Sequence, residues 1–291
     1  MAIHVKPQHS PFIGEVGGAD LTRPLPASDL AQIQAAIDEK AVLVFHGPKL
    51  SEEQQLAFAR NFGPLETSGI IVGAKLRINE KLADVSNLDE SNAVIGEASR
   101  KRMSNLGNQL WHTDSSFKAT PAKYSALHAH TVTPEGGETQ FADMRAAYDA
   151  LGAKMKARIE DLVCEHSIFT SRAKVGFTDF TDAERARFPS ARQRLVRVHP
   201  ATGRRSLYLA SHASHVIGWP VPDGKMLLIE LMEHATQRAF VHTHPWQVGD
   251  LVMWDNRCTM HRGRPFDPAC RRDMRRATIE DDGPTAAQAA A

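Results

Sequence analysis

Residues 123–137 read KYSALHAHTVTPEGG, a β-leaning run that stops at the turn signal Pro134-Glu135-Gly136-Gly137. The same layout recurs along the chain. Residues 195–199, 206–209, 251–254 and 275–279 are further short β-leaning runs, and Ala201-Thr202-Gly203 is a second turn. Short strands with frequent turns predict a β sandwich or barrel with helices packed outside it. Strands and helices do not alternate regularly, so a doubly wound parallel sheet is disfavoured.

Helices are expected at the edges of this pattern. Ser28-Asp29 precede Leu30, Ile33 and Ile37, spaced for one helical face, and the helix should run to about Lys40. Residues 41–45 (AVLVF) read as a buried strand closed by His46-Gly47-Pro48. Ser51-Glu52-Glu53-Gln54 is a capping-box pattern opening a helix through Phe62. Asp143 caps a helix through Tyr148, and residues 224–237 carry strong helical spacing.

Composition bounds the function. The 291 residues suit a single domain, expected over 1–283, and residues 284–291 (PTAAQAAA) read as a frayed tail. A formal net charge of +1 gives no global field toward nucleic acid or membrane. No apolar run approaches the roughly 20 residues that span a bilayer. The first residues lack the apolar core of a signal peptide, so a cytoplasmic location is expected. Cys164, Cys258 and Cys270 are too few and odd in number for a disulfide framework.

Chemistry concentrates in two segments. In extended backbone, residues two apart share a face, so His112 and Asp114 of Trp111-His112-Thr113-Asp114 can grip one cation together. His261, closing the stretch 254–261 (WDNRCTMH), offers the third ligand. Two histidines and one carboxylate make the facial triad of non-haem Fe(II) oxygenases, which leaves open positions for a 2-oxo acid and dioxygen. A zinc reading through Cys258 and His261 lacks the second ligand pair such a site needs.

Downstream, Arg271, Arg272, Arg275 and Arg276 fall within six residues. On a strand, Arg272 and Arg276 share one face and can each fork onto a carboxylate, while Arg271 and Arg275 face outward. Thr139, after the glycine turn, could donate its hydroxyl to the carboxylate that Arg272 holds.

Taken together, these segments resemble the taurine dioxygenase-like family of 2-oxoglutarate-dependent oxygenases. The shared pattern is W-H-x-D at 111–114, G-G-x-T at 136–139, W-D-N-R-x-x-x-H at 254–261, Arg272 eleven residues beyond His261, and R-A-T at 276–278. It runs from the ADL segment at 19–21 to about Glu280. Within the family the likeness is greatest to the branch acting on 2,4-dichlorophenoxyacetate and other aryloxyalkanoates, carried by stretches such as 108–117 (NQLWHTDSSF), SHASH (211–215) and 249–264 (GDLVMWDNRCTMHRGR).

The resemblance implies a double-stranded β-helix, or jelly roll, with flanking helices. It implies Fe(II) on His112, Asp114 and His261, with 2-oxoglutarate and O2 as co-substrates. Arg272 and Thr139 would hold the distal carboxylate of 2-oxoglutarate, and Arg276 the anionic end of the substrate. Asn108, His199 and His215 would line the substrate pocket. Phe117 or the pair Ile70-Ile71 could shelter a ring. The phenoxyacetate branch carries a lysine near residues 69–72, where this chain has none. The loop after Glu66 also departs from the branch.

The implied reaction hydroxylates the carbon beside an ether oxygen, giving a phenol, glyoxylate, succinate and CO2. The same residues would serve a sulfonate such as taurine, an alkyl sulfate or another small carboxylate. A jelly roll that binds metal or anion without catalysis, or a nucleic-acid binder using the arginine cluster, are the readings outside this class. A homo-oligomer is the family's loose expectation.

Overall fold

The run at 123–137 forms the strand Ala122–Thr131, placed near the middle of a seven-stranded sheet. The computed structural model describes residues 3–8, 10–69 and 75–286. In order across this sheet lie His4–Pro7, Ile13–Gly17, Val42–Phe45, Leu251–Asp255, Ala122–Thr131, Asp273–Glu280 and Leu82–Asp84. All neighbours are antiparallel except Ile13–Gly17 with Val42–Phe45.

A second sheet orders Val241–His244, Thr139–Asp143 and Thr259–Gly263, again antiparallel. Leu127, Val252, Trp254 and Met274 from the large sheet meet Phe141 from the small one in a shared buried core. The Phe141 and Trp254 rings sit 5.4 Å apart. Trp254 is fully buried, so truncating it to alanine would cost roughly 3–5 kcal/mol. Two facing sheets over one core, with helices outside, match the sandwich or barrel read from the residues and the jelly roll that the resemblance implies.

Helices Ala27–Lys40 and Glu52–Arg60 cover the other face of the large sheet, burying Ile33, Ile37, Leu56 and Phe58 against Tyr124, Met253 and Ile279. The capping box at Ser51 forms with both of its hydrogen bonds. Asp143 caps Met144–Asp149 by accepting from the Arg145 and Ala146 amides. The helix Val221–Ala235 buries Leu227, Leu231 and Ala235 against Met144 and Tyr148.

Two boundaries differ from expectation. Ala41, read as the first strand residue, adopts φ 72° and ends the preceding helix, its amide donating to the Ile37 carbonyl at 2.8 Å. Left-handed backbone at a non-glycine helix end bends the chain into the strand. The expected tail at 284–291 begins too early, because Thr285 is buried and its hydroxyl donates to Gln193 Oε1 at 2.5 Å. A buried hydroxyl with a partner holds its backbone in place. Residues 287–291 lie outside the described residues.

All three cysteines are free. No described helix is long and apolar enough to cross a membrane.

Candidate active site

His112 and His261 are brought opposite each other by an isolated antiparallel bridge. His112 N–H donates to the His261 carbonyl at 3.0 Å, and His261 N–H donates back at 2.9 Å. Their rings lie 4.2 Å apart. Thr113 points away, its hydroxyl bonded to the Leu209 and Thr259 carbonyls, which leaves Asp114 on the histidine side. Ser115 follows with φ 52°, turning the chain out of the site.

His112, Asp114 and His261 are all buried, and their ligand atoms all lie within 4.8 Å of one another. Asp114 Oδ1 is 3.8 Å from His112 Nε2, and Oδ2 is 3.7 Å from His261 Nε2. His112 Nδ1 is 2.7 Å from the Leu110 carbonyl, which can only accept. The proton therefore sits on Nδ1 and Nε2 keeps a bare lone pair for a metal.

Protonation suits a cation as well. Burial lowers the His112 pKa to about 4 and holds His261 well below its ordinary value. Burial pushes the Asp114 carboxyl upward, but the Arg276 guanidinium leads the opposing causes and the acid stays below its usual range. Two neutral imidazoles and an ionised carboxylate on one side are a donor set that fits Fe(II).

The carboxylate is also oriented from behind. Ser125 Oγ donates to Asp114 Oδ2 at 2.7 Å. Asn256 Nδ2 donates to Ser125 Oγ at 3.0 Å, and Asn256 Oδ1 accepts the Asp114 amide at 3.2 Å. Asn256 thus ties the 254–261 stretch to the 111–114 stretch.

Strand Asp273–Glu280 puts Arg276 on the inner face, as it does the core residue Met274, and Arg272 precedes it on that face. Arg275 faces outward, bonded to Glu52 and Asp273, and Arg271 reaches the Asn92 carbonyl. Arg272 is buried, donates to the Val85 and Gly137 carbonyls at 3.2 and 3.1 Å, and lies over the Phe266 ring. Burial lowers its pKa to about 10. Among the described residues no carboxylate pairs with it.

The turn that presents Gly137 needs its glycines: φ is 71° at Gly136, and a Cβ there would fall 2.4 Å from the Pro265 carbonyl oxygen. Thr139 lines the same cavity as Arg272, with its Oγ1 accepting from Trp246 Nε1 at 3.0 Å. Arg276 Nη1 donates to Asp114 Oδ1 in a short ion pair.

Two cavities meet at the triad. Asn108, His112 and Arg276 line both. One holds Thr139, Trp254, Phe266 and Arg272. The other holds Asp114, Phe117, Ile168, Phe188 and His212. Phe117, Ile168 and Phe188 pack together as a small apolar cluster. The pair Ile70-Ile71, a candidate ring shelter, lies outside the described residues.

Two expected pocket residues are elsewhere. His199 is buried with its Nε2 2.9 Å from Asp255 Oδ2, and it lines neither cavity. It belongs to an ion network in which Arg257 binds both Asp255 oxygens. That network also answers the second metal-like cluster, His199, Asp255 and Cys258. Its carboxylate is already saturated, and burial pushes the Cys258 thiol well up, so the sulfur stays protonated.

His215 lies past a bulge in strand Ala213–Val216, with Nδ1 2.9 Å from Ser214 Oγ, and lines neither cavity. His212 reaches the site instead, its ring 5.0 Å from Phe117 and 6.0 Å from His112. The shared SHASH motif contains both histidines, and only the bulge and turn decide which points inward. Arg172 also lines the second cavity, and no sequence signal marks it.

Comparison with known proteins agrees with this geometry. The family profile described as taurine catabolism dioxygenase TauD, TfdA family matches residues 4–278. The chain is 47% identical over 290 residues to the alpha-ketoglutarate-dependent 2,4-dichlorophenoxyacetate dioxygenase of Cupriavidus pinatubonensis, covering 97% of this chain and 99% of that one. It is 44% identical over 286 residues to the enzyme of the same description from a Burkholderia species, covering 96% and 94%. The crystal structure of AAD-2 in complex with Mn(II) and N-oxalylglycine superposes with a TM-score of 0.91 at 50% identity, covering 98% of this chain and 99% of that one. N-oxalylglycine is an analogue of 2-oxoglutarate. A jelly roll with a buried two-histidine, one-carboxylate cluster and a buried guanidinium nearby, similar along its length to these proteins, belongs to the TauD, TfdA family of alpha-ketoglutarate-dependent dioxygenases.

Proposed function

We propose that this enzyme hydroxylates an aryloxyalkanoate such as 2,4-dichlorophenoxyacetate at the carbon beside the ether oxygen. The observation that carries the reading is the cavity on the Asp114 side. It joins an aromatic and aliphatic wall, Phe117, Ile168 and Phe188, to the guanidinium of Arg276. That pairing suits a ring at one end and a carboxylate at the other.

Residue roles follow. His112, Asp114 and His261 hold Fe(II). Arg272 and Thr139 hold the distal carboxylate of 2-oxoglutarate in the adjoining cavity. Arg276 and Asn108, shared by both cavities, fix the substrate's anionic end. Iron with 2-oxoglutarate and dioxygen supplies the hydroxylating power, releasing succinate and CO2. The residues contribute position: an anchored carboxylate and a seated ring leave one C–H bond facing the metal side. The hydroxylated ether collapses to a phenol and glyoxylate, or another 2-oxo acid from a longer alkanoate.

The chain acts as one catalytic domain that reaches beyond 283 to the packed Thr285, in the cytoplasm, on a small anionic molecule, with no nucleic-acid or membrane partner. It works as a homo-oligomer; the exposed Val221, Met226 and Ile229 on helix Val221–Ala235 support a self-contact, and light scattering of the purified protein tests it.

Succinate release across aryloxyacetates, aryloxypropionates and taurine tests the substrate. Aryloxyalkanoates should exceed taurine in kcat/KM by more than tenfold. A preference for taurine, which has no ring to fill the apolar wall, would overturn the reading.

A further inference from the structure

We infer that Arg172 is a second guanidinium for the substrate's carboxylate, carried on a different element from Arg276. The inference rests on the aryloxyalkanoate reading and extends it.

Arg172 lies in the short helix Ile168–Ala173, is 4% exposed, and lines the cavity that holds Asp114, Phe117 and Phe188. A buried guanidinium ordinarily has a carboxylate beside it, because an unpaired charge away from water is costly. Among the described residues no carboxylate forms an ion pair with this one. Its head group donates through Nη1 to the neighbouring Ser171 Oγ at 3.2 Å, and its Nε is buried without a partner. Ser171 Oγ is itself committed, donating to the Ile168 carbonyl at 2.8 Å and lying 2.9 Å from His212 Nδ1.

The backbone packed against this guanidinium leaves room for it. A Cβ built on Gly107 would stand 2.2 Å from Arg172 Nη1 and 2.6 Å from Cζ. Gly107 does not occupy the left-handed region, so its backbone conformation does not call for glycine. The room for the guanidinium does. Asp114 is the carboxylate whose field the guanidinium feels, and Arg276 and Ser125 already take its oxygens.

Burial, and the nearby Arg276, lower the Arg172 pKa to about 10, so the group is still charged at neutral pH. It is the cation in this cavity whose fork is uncommitted. The complementary ligand is a small carboxylate attached to an apolar ring, with the ring against Phe117 and Phe188.

The test compares Arg172→Met and Arg172→Lys with wild type, each loaded with 2-oxoglutarate and metal without oxygen for calorimetric titration of phenoxyacetate, then assayed at steady state. Losing a charge-assisted fork should weaken phenoxyacetate binding by roughly 10- to 100-fold. KM should rise more than kcat falls, and Arg172→Lys should recover part of the loss. Removing an uncompensated buried charge should leave the thermal midpoint of the metal-free protein equal to or above wild type. Wild-type affinity in Arg172→Met overturns the inference. So does weaker binding that comes with a lower midpoint and no recovery by lysine, the behaviour of a structural arginine. If wild type instead hydroxylates only a sulfonate or alkyl sulfate, the substrate reading fails by itself, and the same variants titrated with that anion still judge Arg172.

Discussion

His112 and His261 share a two-hydrogen-bond backbone bridge, 3.0 and 2.9 Å, although 149 positions separate them in the chain. Their imidazoles are thus set by main-chain geometry, while Asp114, two residues past His112, depends on side chains for its aim. Replacing His112 or Asp114 by alanine should abolish succinate release, because two ligands cannot define the face. Ser125→Ala is the finer test. Ser125 donates to Asp114 Oδ2 at 2.7 Å, and losing such a supporting bond should weaken Fe(II) binding about 10- to 100-fold. At saturating iron, kcat should return to within a few fold of wild type. An unchanged iron requirement would mean that Asp114 is aimed without Ser125.

Arg272 and Arg276 should separate only in part. Arg272→Ala removes a guanidinium held by carbonyls and a ring, with no bond to the triad. It should raise KM for 2-oxoglutarate about 10- to 100-fold and that for the substrate by less than threefold. Arg276 also bonds Asp114, so Arg276→Ala should raise both the substrate KM and the iron requirement. Equal effects of Arg272→Ala on both organic substrates would argue against a dedicated clamp.

The legible part of this site is the part written in short spacings. His112 with Asp114, and Arg272 with Arg276, are intervals of two and four on extended backbone, and strand periodicity alone puts each pair on one face. Thr139 follows from the glycine turn before it. What the residues could not show was commitment elsewhere. His199 looks as available as any histidine until Asp255 and Arg257 are folded against it. His212 and His215 differ only by a bulge that pattern does not encode. Arg172 sits in a six-residue helix whose place at the cavity comes from tertiary packing. Likewise Ala41 reads as strand because its neighbours do, and its left-handed φ comes from closing the helix before it.

Arg77 should matter for stability beyond its length of contact. Its nearly buried guanidinium bonds Asp84 at 2.9 and 3.0 Å and Asp273 at 2.7 and 3.0 Å. Arg77→Ala would leave Asp84 to Lys101 and Asp273 to Arg275, and losing the central guanidinium's charged hydrogen bonds should cost about 1.5–3 kcal/mol. Both acids are held below their usual range; burial opposes this, and Arg77 is the largest cause in its favour. A depressed carboxyl contributes stability above the unfolded pKa of about 4 and loses it as pH falls below that value. Urea unfolding should therefore show a wild-type advantage that is flat from pH 8 to 5 and narrows below about 4. A gap that persists undiminished below about 4 would assign the loss to packing.

His128 gives a pH window of the same sense, placed higher on the scale. Its Nε2 accepts the Leu50 amide at 2.8 Å, its Nδ1 is buried without a partner, and the His130 ring stacks on it at 4.7 Å. Burial lowers its pKa to about 3, helped by His130 and Arg275. The unfolded chain binds the proton near pH 6.5, so the folded state is fully favoured above that pH and loses ground as pH falls toward 3. The slope approaches 1.4 kcal/mol per pH unit for one fully coupled group. His128→Gln keeps an acceptor for Leu50 but cannot titrate. Between pH 8 and 5, wild type should lose about 2 kcal/mol more than this variant, the span from 6.5 to 5 at that slope. Because the other histidines are common to both proteins, the difference isolates His128. Parallel stability curves would show that the folded protein admits the proton at 128 as readily as the unfolded chain does.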